Sequence, residues 1–154
     1  MKKYKVILLS GGFDPVHRGH VEFINKASEL GDQVWIGLND DQWLKRKKGK
    51  YFMEGDERRY IMSNLKNVDY VYLMNPKPMD DTSIDFIEHS FKRYKRLFGE
   101  YKEHDMAFGN GGDRVKTNTP ENDLCTSLGI DSVWGLGEKV QSSSFLLQKY
   151  VSHS

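Results

Sequence analysis

Apolar and polar positions along the chain alternate between short continuous runs and helix-spaced stripes. Val6-Ile7-Leu8-Leu9 is an unbroken apolar run closed by Gly11 and Gly12, and it reads as a buried strand. Residues Val21 to Leu30 form an amphipathic helix with Gly31 as its C-cap, and Gln33 to Leu38 is a second strand. Asn39-Asp40-Asp41 ends that strand. Gly49 then interrupts a basic run and predicts a loop from about Lys45 to Glu54. Asp56 to Leu65 reads as a helix led by acidic residues, with Tyr60, Ile61 and Leu65 turned inward.

Tyr70 to Met74 is a third strand, followed by a two-proline loop through Asp81. Thr82 with Asp85 resembles a capping box opening a helix whose inner face is Ile84, Ile87, Phe91, Tyr94 and Phe98, ending at Gly99. Met106 to Gly109 is a short fourth strand, and the glycine-rich turn from Asn110 to Arg114 follows it. Thr119-Pro120-Glu121 starts a helix that stops at Gly129, with proline at the favoured first position. Asp131 to Gly135 is a fifth strand, and Ser142-Ser143-Ser144 could cap a last helix through Phe145, Leu146, Leu147, Tyr150 and Val151. This alternation of strand and helix predicts an α/β fold, a Rossmann-like three-layer sandwich around a parallel sheet of about five strands.

A chain of 154 residues is most simply a single domain, here 1–154, and 29% charged residues suit a water-facing surface. No apolar run approaches the roughly 20 residues of a membrane span. One cysteine, Cys125, excludes an internal disulfide and points to a reducing, cytoplasmic compartment. The net charge of +1 argues against a general nucleic-acid binder, although Lys45 to Lys50 and Lys92 to Arg96 are locally basic. The Lys92 to Arg96 cluster reads as a solvated helix face.

The chemistry concentrates where the first strand turns into the first helix. Unpaired N–H groups and the positive end of a helix dipole favour a phosphate at such a junction. His17 and His20, three residues apart, project from one side of the first turn and can reach one bound group. Helix capping alone and a metal pair are the other readings, but no third ligand stands at a recognisable spacing.

Gly11-Gly12-Phe13-Asp14-Pro15-Val16-His17-Arg18-Gly19-His20 resembles the G-x-F-D-x-x-H-x-G-H signature of the cytidylyltransferase-like nucleotidyltransferases. That family includes glycerol-3-phosphate cytidylyltransferase, the adenylyltransferase that makes ADP-heptose, and phosphopantetheine adenylyltransferase. The resemblance implies transfer of NMP from CTP or ATP to a small phosphorylated acceptor, such as a sugar phosphate or glycerol 3-phosphate. Pyrophosphate leaves, Mg²⁺ neutralises the triphosphate, and a homodimer is implied, with no nucleic-acid or membrane partner. It assigns His17 and His20 to the α-phosphate, and Gly11, Gly12, Phe13, Asp14 and Gly19 to the nucleotide.

Lys48-Gly49 resembles the K-G step of the heptose-phosphate members, whose lysine holds triphosphate oxygens; Lys45 and Lys50 are alternatives in register. Glu57-Arg58 matches the family's E-x-R helix start, which makes Arg58 a phosphate ligand. Gly112-Asp113 resembles the G-G-D-Y loop, with Arg114 in place of the aromatic residue. Ser142-Ser143-Ser144 resembles S-T-T, whose hydroxyls hold phosphate oxygens. The arginine that precedes S-T-T in glycerol-3-phosphate cytidylyltransferases is missing here, and Asp81-Thr82 looks more like the heptose-phosphate enzymes. The segment from Asp85 to Asp105 is longer than in either relative. A nucleotide-binding sensor without turnover is the rival reading. A nucleic-acid protein built on the basic loop is a third.

Overall fold

The computed structural model describes residues 2–111 and 119–136. Among them, five strands form one parallel sheet in the order β3-β2-β1-β4-β5. They are β1 (Tyr4–Gly11), β2 (Gly31–Leu38), β3 (Tyr70–Leu73), β4 (Met106–Gly111) and β5 (Asp131–Leu136). The helices are α1 (Arg18–Leu30), α2 (Asp41–Lys48), α3 (Gly55–Ser63), α4 (Ile84–Phe98) and α5 (Pro120–Leu128). The predicted Rossmann-like α/β sandwich is the observed fold.

Strand alternation divides the core into two. Ile7, Leu9, Val34 and Ile36 face α1 and α3, where Ile24, Ala27 and Met62 meet them. Val6, Leu8, Trp35, Met106 and Phe108 face α4 and α5, against Phe86, Ile87, Tyr94 and Cys125. The chain lays down β1, β2 and β3 in one direction, then crosses back to add β4 and β5 on the other side of β1. Right-handed crossovers place the connections of the two halves on opposite faces of the sheet. Strand order reverses between β1 and β4, and in such sheets ligands bind outside the carboxyl ends of the strands at that point. Among the described residues no helix is long and apolar enough to cross a membrane.

Five local expectations are corrected. The segment read as a loop from Lys45 begins inside α2, an eight-residue helix capped by the Asp40 carboxylate on the Trp43 amide at 2.9 Å. Gly49 ends it in the left-handed conformation at φ 81°, and the four basic residues Lys45 to Lys48 line its last turn, where the helix dipole favours them. Tyr60 is 75% exposed rather than inward, because α3 turns Gly55, Arg58 and Met62 to the interior instead. The Thr82–Asp85 box does not form: Ser83 is the N-cap, and Asp85 accepts from the Tyr72 hydroxyl and the Asn75 amide. The inner face of α4 is accordingly Phe86, Ile87, Ser90 and Tyr94, with Phe98 largely outside. The Lys92 to Arg96 cluster is not wholly solvated either. Arg93 lies over the rings of Tyr70 and Trp35, its guanidinium carbon 3.7 and 4.3 Å from their centroids.

The start of α5 follows the sequence closely, with the Thr119 hydroxyl accepting from the Asn122 amide and Pro120 at the first helical position. Gly37 on β2 faces α4 so closely that a Cβ there would overlap the Phe86 ring. Gly37→Ala is expected to destabilise the fold by about 1–3 kcal/mol through forced repacking. The midpoint of urea unfolding measures this; an unchanged midpoint would show that α4 does not lie so close to β2.

Candidate active site

The turn between β1 and α1 lies at the carboxyl end of the sheet, where strand order reverses. His17 is the N-cap of α1, and its Nδ1 accepts the Gly19 amide at 3.1 Å. His20 is the third helical residue, and its Nδ1 accepts the His17 amide at 3.2 Å. The two together make a capping box with imidazoles in the usual places of serine and glutamate. A backbone N–H can only donate, so each Nδ1 must be the unprotonated nitrogen. A neutral ring held this way carries its proton on Nε2. The capping reading and the catalytic reading of these histidines are thus compatible: Nδ1 serves the helix cap, and Nε2 is the ring nitrogen outside it.

The rings stack with centroids 3.7 Å apart and planes within 19°. Phe13 backs His20 at 4.7 Å, and its own side chain is buried. Burial, then the neighbouring charges of His17 and Lys48, push the His20 pKa down to about 3. His20 is therefore a neutral hydrogen-bond donor across the physiological range. Its coupling to Lys48 places the last residue of α2 within electrostatic range of the histidine pair. Lys48 itself is exposed, at the end of a helix held by Leu44 in the core.

The glycines are occupied by protein neighbours. A Cβ on Gly12 would stand 3.0 Å from Leu44, so this glycine lets α2 lie against the turn. A Cβ on Gly11 would meet the Phe13 ring at 3.1 Å. Gly19 contributes its amide to the cap of His17.

Two of the matched residues are buried and hydrogen-bonded within the protein. The Asp14 carboxylate is 3% exposed and accepts the amides of Phe52 and Met53 at 2.6 and 2.7 Å. Arg58 is fully buried and donates to the carbonyls of Met53, Gly12 and Asn39 and to the Asp41 carboxylate. The helix-start motif placed Arg58 correctly in the chain, but its side chain turns into the protein. Sequence reasoning passed over Asp41 and Asn39, its partners; the Asn39-Asp40-Asp41 run, with Asp40 three residues before Trp43, was an N-cap signature that could have found α2.

Further out, Asp81 receives Arg46 at 2.9 Å and Lys47 at 3.2 Å, and its carbonyl accepts the Trp43 indole. These bonds hold α2 to the loop before α4. Gly112, Asp113, Arg114 and Ser142 to Ser144 lie outside the described residues, as does the helix expected through Val151. Among the described residues no three His, Cys, Asp or Glu side chains gather as a metal ligand set. The Cys125 thiol is buried, and its pKa is pushed up to about 12 by that burial.

The His20 shift has a thermodynamic sign. The folded ring binds a proton far less readily than the unfolded one, so its contribution to stability is complete above the unfolded value near 6.5 and is lost as pH falls towards about 3. Imidazole ¹⁵N spectra of the folded protein are expected to show His20 as the Nε2–H tautomer, flat between pH 5 and 9. A titration of His20 near 6.5 would contradict this arrangement.

Comparison with known proteins agrees with the geometry. The family profile described as Cytidylyltransferase-like matches residues 8–139. Bifunctional protein HldE of Vibrio vulnificus (strain YJ016) is 31% identical over 140 residues, covering 87% of this chain and 29% of that protein. Bifunctional protein HldE of Campylobacter concisus (strain 13826) is 39% identical over 87 residues, covering 55% of this chain and 18% of that one. The chain thus spans under a third of the length of these curated relatives. A bifunctional NMN adenylyltransferase/ADP ribose pyrophosphatase from Francisella tularensis, crystallised with AMP and Mn ion, superposes with a TM-score of 0.64 at 14% identity, over 98% of this chain and 42% of that chain. A lipopolysaccharide core biosynthesis protein from Thermoplasma volcanium GSS1 does so with a TM-score of 0.57 at 19% identity, over 86% of this chain and 97% of that chain. At these identities the solved structures show a shared fold. With residues 8–139 of its 154 inside the family profile, the chain belongs to the cytidylyltransferase-like family of nucleotidyltransferases.

Proposed function

We propose that this protein transfers NMP from ATP or CTP to a small phosphorylated acceptor, a sugar phosphate or a polyol phosphate such as glycerol 3-phosphate, and releases pyrophosphate. The observation that carries the reading is the pair of stacked imidazoles at the first turn of α1, at the reversal of strand order. Attack of an acceptor phosphate oxygen on the α-phosphorus forms one P–O bond and breaks the bond to the bridging oxygen of pyrophosphate. Negative charge builds on the α-phosphate oxygens and on that bridging oxygen. Two imidazoles already held in place by the cap can meet this charge without reorganising, and the amides at the start of α1 add to it.

No covalent intermediate on the protein is needed. Lys48, at the exposed end of α2, suits the β- and γ-phosphates as a point charge. The described residues supply no metal cage, so Mg²⁺ is proposed to arrive on the triphosphate, where it would neutralise charge. The resemblance of Asp81-Thr82 to the heptose-phosphate enzymes favours a sugar phosphate as acceptor. By family resemblance the protein is proposed to work in the cytoplasm as a homodimer.

Pyrophosphate release across ATP and CTP, paired with sugar phosphates and glycerol 3-phosphate, tests the reading. One pair is expected to turn over, and His17→Ala or His20→Ala to lower kcat by about 10²–10³, the usual cost of removing an oxyanion donor. Lys48→Ala is expected to raise the KM for nucleotide by roughly tenfold, as loss of a charge-assisted contact would. Nucleotide binding without turnover on any pair, with affinity indifferent to His17→Ala, would make the protein a sensor instead.

A further inference from the structure

We infer that Arg58 is a positioning residue, the buried brace that fixes three ligand-facing loops in register, and that it does not contact the triphosphate. The inference rests on the proposed reaction for its catalytic consequence, but its structural content stands on the geometry alone. The guanidinium has no solvent-exposed surface. Its Nε donates to the Met53 carbonyl at 3.0 Å, and one Nη donates to the carbonyls of Gly12 at 2.9 Å and Asn39 at 2.7 Å. The other Nη donates to Asp41 at 2.6 Å, which balances the charge.

These four acceptors come from three separate segments. Gly12 belongs to the turn that presents the histidines. Asn39 lies between β2 and α2, and Asp41 is the first residue of α2, the helix that ends in Lys48. Met53 belongs to the segment between α2 and α3. A second grip closes the ring, because the amide of Met53 donates to Asp14, two residues beyond Gly12. The Met53 residue is thus held by its carbonyl from Arg58 and by its N–H from Asp14. Asn39 is also tied to the first turn directly, its amide donating to the Gly11 carbonyl at 2.9 Å.

Only a planar fork can make these bonds at once. Lysine would keep the charge but has a single nitrogen, so it cannot serve three carbonyls and a carboxylate in these directions. The result of losing the fork is three carbonyls left short of donors and loops free to drift. Displacing a reacting group by about 1 Å can cost on the order of a hundredfold in rate. A brace and a phosphate ligand therefore predict different kinetics. Loss of a brace lowers kcat with nucleotide affinity little changed. Loss of a phosphate contact weakens nucleotide binding, and a lysine substitute repairs it.

The first test uses the unaltered protein, titrated with ATP and Mg²⁺ or with inorganic pyrophosphate while the guanidinium ¹⁵N signals are followed. The Arg58 signals are expected to stay in place while the His17 and His20 ring signals move. An Arg58 shift as large as theirs would overturn the inference. The second test is Arg58→Lys, expected to lower kcat roughly ten- to a hundredfold with nucleotide affinity within about threefold. Amide exchange should quicken together at 11–14, 39–41 and 50–54. An Arg58→Lys protein with native kcat and native exchange, beside an Arg58→Gln protein that has lost nucleotide affinity, would overturn it.

Should neither variant fold, Asp41→Asn decides, since it removes the counter-charge and leaves the three carbonyl bonds. A brace predicts a lower kcat at unchanged affinity. A phosphate ligand, relieved of its carboxylate, predicts tighter nucleotide binding. If the native protein binds no nucleotide, the proposed reaction fails, while amide exchange in Arg58→Lys, or in Asp41→Asn, still judges the brace.

Discussion

Two backbone amides decide what the histidine pair can do. By donating to Nδ1 of both rings, the amides of His17 and Gly19 set the ring orientations and leave Nε2 of each outside the cap. Hydroxyl or carboxylate caps would satisfy the helix equally well, but they would leave no second nitrogen beyond the cap. Burial, then the neighbouring His17 and Lys48, keep His20 neutral, so it donates without titrating. Helix capping and phosphate chemistry are thus two ends of the same imidazole.

Around that turn, polar groups are used for holding rather than for binding. Arg58 and Asp14 tie the turn to the two segments beyond β2, and Asp81 ties α2 to the loop before α4. Buried polar groups of this kind tolerate little change, because each lost partner leaves another group unsatisfied. The site is therefore shaped by a network that lies almost wholly behind it. Leu44 against Gly12 adds the apolar part of the same fit.

The sheet was legible because its strands are nearly pure apolar runs or β-branched and aromatic segments, each followed by glycine or a polar turn. Helix ends were legible where one residue does the capping, as at Thr119, Pro120 and Gly129. The helix α2 was missed because lysines and arginines dominate it, and only Trp43 and Leu44 give it an inner face. Its Asp40 cap and left-handed Gly49 were nevertheless present in the sequence. Tyr60 misled because apolar periodicity cannot anticipate an arginine as the inward residue of α3. Arg58 itself shows the limit of a motif: it fixes where a residue stands along a helix but not which side of the loop its side chain enters.

The account stands or falls on where the α-phosphate sits. A crystal structure with a non-hydrolysable ATP or CTP analogue measures this most directly. It is predicted to place α-phosphate oxygens about 2.7–3.2 Å from Nε2 of both His17 and His20, with Arg58 still turned inward. A triphosphate bound elsewhere, or one contacting neither ring, would contradict it.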